Sequence, residues 1–199
     1  MKGKTHVSLG TAAYVSLCGE LGGFSYLGFL IVIFASLLPD IDHPKSLFNK
    51  YILPVRNKKT KRTVYLSFAI IILWYDLISG GKPILRVIVI GLILIAFSTH
   101  RNGLTHSLFS MIVFTILAGY IEFVFNFDNI VEYISIGYGM HLIGDMFTIS
   151  GVPLFYPVVK KKIKFPLTIK MNTKVGDFIE DIISILCLIY LIYTLPRII

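Results

Sequence analysis

Cysteine is nearly absent from this chain of 199 residues, and charge is scarce. The two cysteines, Cys18 and Cys187, both fall inside apolar stretches, which excludes a disulfide framework and a structural zinc site built from thiolates. Only 15% of the residues are charged and 55% are hydrophobic, whereas a soluble domain carries about 25% charged residues. Those proportions specify an integral membrane protein. No internal repeat and no low-complexity linker is present, so the chain reads as one membrane domain over 1–199. Lys2 and Lys4 resemble the charged start of a signal peptide. However, Thr11 and Ser16 interrupt the apolar run and no small-x-small cleavage site follows, so the segment reads as retained.

Apolar runs predict an all-α, polytopic helical bundle of about seven spans, over 6–20, 24–38, 64–80, 83–98, 105–125, 129–149 and 177–195. The pair 64–98 is joined by "SGGKP", in which Gly80 and Gly81 break one helix and Pro83 opens the next. It carries few polar residues and reads as a variable helical hairpin. From 160 to 172, Ile163, Phe165, Leu167, Ile169 and Met171 alternate with mostly polar neighbours, a period of two that predicts a short extended ribbon at the membrane surface.

The formal net charge of +8 is concentrated in two segments: seven Lys/Arg lie between Pro39 and Thr63, and six between Lys160 and Lys174. Short basic loops stay on the cytoplasmic side, so seven spans place the N-terminus inside. The expected location is a bacterial cytoplasmic (inner) membrane, crossed several times. The basic segment 45–62 has only Phe48 and Tyr51 as interleaved aromatics, so it reads as an anchor on anionic membrane lipid and not as a nucleic-acid site.

Under that topology the ionisable residues gather on one side. "LLPDIDHPKS" sets Asp40, Asp42 and His43 at the inner end of the second span, and "THRNGLTHS" sets His100 and His106 between the fourth and fifth. His141 and Asp145, four apart on the sixth span, share one helical face near its inner end. His6 begins the first span from the same side. All five histidines and three aspartates thus converge, although the span ends were placed without reference to them. Imidazole with carboxylate suits a divalent metal, zinc foremost, with manganese or iron also accommodated. The candidate ligands are His6, Asp40, Asp42, His100, His106, His141 and Asp145, more than one ion needs, which leaves room for two or more. Asp42 or His43 could instead take a proton, and Arg101 could neutralise an anionic substrate or simply anchor the inner side.

"LLPDIDHPKS", "HR…THS" and "H-x-x-x-D…T-x-x-G-V-P-L", in this order, resemble the YdjM family of inner-membrane proteins. The resemblance runs from His6 to about Pro166, with a looser continuation at "GDFIED". It implies a metal-dependent hydrolase. The family pattern H-R-G-x-T-H-S is one residue shorter than "HRNGLTHS", so His106 is the better match and His100 is displaced or stands behind the ligands. The order of ligands is also similar to the zinc-dependent phospholipase C and single-strand nuclease superfamily, which tilts the expected substrate toward a phosphoester or a lipid-derived molecule.

Competing readings use the same residues. A metal or proton transporter would place its ligands near the bilayer midplane between paired repeats. A non-catalytic membrane regulator would need no convergence of ligands. For single positions, Asp40 or Asp42 could cap a turn before Pro44, Glu180 could cap the last span, and Asp76 and Glu122 could sit at the outer interface.

Overall fold

The computed structural model describes residues 1–42, 57–98 and 103–199, apart from the side chains of Asp42 and Lys58. Among these residues seven α-helices follow one another: α1 Gly3–Leu17, α2 Tyr26–Leu37, α3 Lys58–Ile78, α4 Pro83–Phe97, α5 Leu108–Phe125, α6 Ile130–Met146 and α7 Lys174–Ile198. No strand occurs among the described residues. Among the described residues, only α5 and α7 are both long and apolar enough to cross a membrane by length and composition alone.

Short polar side chains set where several helices begin. Ser25, Asn57, Ser107 and Thr173 each accept a backbone N–H from the first turn of α2, α3, α5 and α7, at 2.9 to 3.3 Å. Pro83 opens α4, as "SGGKP" predicts, after Gly80 and Gly81 turn the chain at φ of 89° and 73°. Helix α3 starts several residues earlier than hydropathy suggests, because the Asn57 cap draws a basic first turn into the helix.

Helices α1, α2 and α6 form the centre, with α7 against α1, α5 against α6, and α3 paired with α4. Close approach of α2 and α6 depends on Gly137, where a Cβ would stand 2.6 Å from both the Ala35 Cβ and the Val32 carbonyl oxygen. One apolar cluster, built on Tyr14, Val15, Cys18, Val32 and Tyr133, fills one part of the bundle. A second, with Leu38, Ile41, Tyr65, Tyr138, Leu142 and Val152, surrounds the polar site. Large side chains such as Ile70, Trp74, Ile116, Phe123, Leu186 and Ile192 face outward, a belt that water would not tolerate and lipid would.

After α6 the chain runs as an extended ribbon held by isolated pairings. Val152 and Ile163 exchange N–H···O bonds of 2.9 and 2.8 Å, and Ile169 donates to the Phe147 carbonyl at 2.8 Å. Two residues expected at surfaces are buried. Lys61 donates its ammonium to the carbonyls of Ile95 and Ser98, at 2.9 and 2.7 Å, closing the end of α4 instead of reaching lipid. Asp76 is covered and pairs with Arg86 Nε at 3.0 Å.

Candidate metal centre

His141 is the fully buried middle of the site, and its orientation follows from how α2 ends. The helix tightens after Leu37 into a 3-10 turn over Leu38–Asp42, in which each carbonyl would take the N–H three residues on. For the Ser36 carbonyl that residue is Pro39, which has no N–H. His141 Nδ1 lies 2.7 Å from this oxygen, and since a carbonyl only accepts, Nδ1 donates and Nε2 keeps its lone pair for a ligand.

The segment before α5 delivers His106. Ser107 caps the helix, Ser107 and Ser110 hydroxyls both donate to the Leu104 carbonyl at 2.6 Å, and the buried Tyr138 hydroxyl donates to the Thr105 carbonyl at 2.5 Å. These bonds fix the backbone on both sides of His106. Its Nδ1 lies 3.2 Å from Thr105 Oγ1, and its Nε2 points to the Nε2 of His141 at 3.3 Å.

Two carboxylates close the arrangement. Asp40 Oδ1 stands 3.4 Å from His106 Nε2 and 3.9 Å from His141 Nε2; Asp145 Oδ2 stands 3.5 and 3.6 Å from the same two atoms. Four donors around a tetrahedral zinc at about 2.0 to 2.1 Å would be about 3.3 to 3.4 Å apart. The three edges among His106, His141 and Asp145 run from 3.3 to 3.6 Å, close to that spacing, and Asp40 lies 3.4 and 3.9 Å from the two imidazole nitrogens. Among the described residues, two groups could hold a metal: His106, His141 and Asp145, and His6, Asp40 and His141.

His6 enters from α1, stacked on His141 at 3.7 Å between ring centroids. Its Nε2 is 3.3 Å from Asp145 Oδ1, which also receives the α-ammonium of Met1 at 2.7 Å. The second turn of α7 holds this arm down: Glu180, itself buried, accepts the Lys2 backbone N–H at 2.7 Å, and Lys4 pairs with Asp181. The Lys2 ammonium is held above its ordinary range by its hydrogen bond to Asp177.

A model of one family, described as YdjM inner membrane protein, matches residues 1–197. The chain belongs to the YdjM inner membrane protein family. Among curated proteins and solved structures, none matches. The family match reaches past Pro166, where the sequence motifs were clearest, to include α7.

The structure of this YdjM family member therefore brings Asp40, His106, His141, Asp145 and His6 together. His43, His100 and Arg101 lie outside the described residues, as does the side chain of Asp42. Glu180 does not cap α7, a role taken by Thr173; it fastens the N-terminal arm. Sequence reasoning passed over Ser36 and Tyr138, which orient His141 and the His106 segment. Tyr138 is three residues before His141, hence on the same helical face, and that spacing is the one local signal it offered.

Proposed function

We propose that this protein is a multi-pass inner-membrane hydrolase, in which Asp40, His106, His141 and Asp145 hold a divalent metal ion at the cytoplasmic face. The convergence of these donors carries the reading: the Ser36 carbonyl turns His141 so that its free nitrogen lies 3.3 to 3.9 Å from His106, Asp145 and Asp40. Zinc fits that donor set and manganese is accommodated. Such an ion, when bound, polarises a substrate oxygen and acidifies water. The chain's own part is to hold the site apolar on the His141 side while Asp40 and Asp145, 24% and 15% exposed, open it to substrate. Asp42 or His43 would receive the proton and Arg101 would meet an anion.

The substrate in this reading is a phosphoester or lipid-derived molecule. In the segment after α6, Val158 and Leu167 are 90% and 82% exposed among Lys160, Lys161, Lys162, Lys164 and Lys170. Apolar side chains between ammonium groups suit the boundary of an anionic leaflet.

Asp145→Asn keeps the shape of the side chain and removes its charge. With zinc or manganese, against a panel of phosphodiesters, phosphomonoesters and phospholipids, it should abolish turnover and weaken metal binding while insertion persists. Equal hydrolysis by both proteins would end the proposal for this site. The seven-span, N-inside arrangement is tested by labelling Lys160→Cys and Asp128→Cys in a background without Cys18 and Cys187. The first should react from the cytoplasm and the second from outside; reaction from one side refutes it.

A further inference from the structure

The ion position proposed above engages one oxygen of Asp145 and leaves the other facing His6. Asp145 Oδ2 is the atom near His106 and His141, whereas Oδ1 is 3.3 Å from His6 Nε2. Could His6 belong to the same ion? The rings of His6 and His141 are stacked 3.7 Å apart with only 14° between their planes. A metal lies in the plane of each imidazole that binds it, and two planes so nearly parallel do not meet within ligand distance. His6 therefore addresses a separate point in space.

That point has the marks of a cation position. His6 is fully buried, yet neither ring nitrogen makes a well-formed hydrogen bond: Nε2 has the Asp145 carboxylate at 3.3 Å and Nδ1 has no partner, an expensive state for buried polar atoms unless something else engages them. A monocation, the Met1 ammonium, already rests on Oδ1 at 2.7 Å and is 2% exposed. Asp40 also offers an oxygen within 4.8 Å of a His6 nitrogen.

We propose that Asp145 bridges two cation positions, with Oδ2 completing the one at His106 and His141 and Oδ1 sharing a second divalent ion with His6, Asp40 being within reach. This rests on the metal reading of the first position and adds a second ion to it. His141 cannot serve both, since Nδ1 is committed to the Ser36 carbonyl and Nε2 has a single lone pair. With fewer protein donors, the second position binds its ion more weakly and keeps coordination sites open, as a substrate-binding ion requires.

The test uses the full chain in detergent, stripped with chelator and titrated with manganese(II), with bound metal counted after gel filtration and its paramagnetic resonance spectrum recorded. Wild type should hold two ions per chain with an exchange-coupled spectrum. His6→Gln and His6→Asn, checked for wild-type melting, should hold one ion with an uncoupled spectrum. One ion in wild type, or two coupled ions in the His6 variants, overturns the second position and leaves the first standing. Variants that hold no ion would place His6 at the first position, which also overturns the proposal. Wild type without any ion would instead overturn the metal reading itself.

Discussion

Tyr138→Phe removes a single oxygen from the interior and changes nothing else in the shape of the side chain. That oxygen donates to the Thr105 carbonyl at 2.5 Å, and Tyr138 is fully buried on α6, one turn before His141. Loss of such a bond costs about 1 to 2 kcal/mol. Where the cost falls decides the argument. If the bond positions the His106 segment, the loss appears in metal affinity, about tenfold for each 1.4 kcal/mol. Tyr14 provides the control, since its hydroxyl bonds to the Ser25 backbone at 2.8 and 3.0 Å within the other apolar cluster. Tyr14→Phe should lower thermal stability comparably and leave metal affinity unchanged. The assay is competition for zinc against a chromophoric chelator, with melting in the same detergent. Tyr138→Phe with wild-type affinity, or Tyr14→Phe with an equal loss, would refute the idea that Tyr138 acts on the site through Thr105.

Two more outcomes are expected. Pro39→Ala supplies an N–H that competes for the Ser36 carbonyl, so His141 loses its orienting partner; metal affinity should fall about 10- to 100-fold while thermal stability holds or rises, as the competition and melting assays will report. Glu180→Ala leaves the partly buried Lys2 N–H without its acceptor and should lower stability by about 1 to 2 kcal/mol; Glu180→Gln, which retains an accepting oxygen, should recover most of it, whereas Lys4→Ala at an exposed pair should cost under about 1 kcal/mol.

Much of the helical layout was legible because each helix is written locally. Hydropathy found the segments, "SGGKP" announced its turn, and the alternation at 160–172 marked the ribbon that pairs with 147–152. Helix lengths were less readable: α1 and α4 are 15 residues each, so apolar length alone does not establish seven crossings. The polar interior was legible only as a list of residue types at one end of the spans. Its geometry depends on partners far apart in sequence: the Ser36 carbonyl and His141 are 105 residues apart, and Lys2 and Glu180 are 178 apart. No period or spacing encodes such pairs. Asp76 and Lys61 failed expectation for a related reason, since a buried charge needs a partner and those partners, Arg86 and the end of α4, come from the neighbouring helix of the hairpin.

The helix termini give the site a further preference for cations. Helices α2 and α6 both end beside it, α2 contributing the Ser36 carbonyl and Asp40 just beyond its end, α6 contributing Asp145 in its last turn. A helix C-terminus carries a partial negative charge of about half an electron. Helix α5 begins here with the opposite polarity, but its Leu108 and Ser110 N–H groups are taken by the Leu154 carbonyl and the Ser107 hydroxyl, which blunts that end. Two carboxylates and two negative helix ends therefore face one small volume, and an anion entering alone would be repelled. A divalent ion answers all four. The Met1 ammonium also meets this field, 2.7 Å from Asp145 Oδ1. One divalent ion offsets about two thirds of that negative charge, so under the proposed function an anionic substrate meets the least repulsion when the metal binds first.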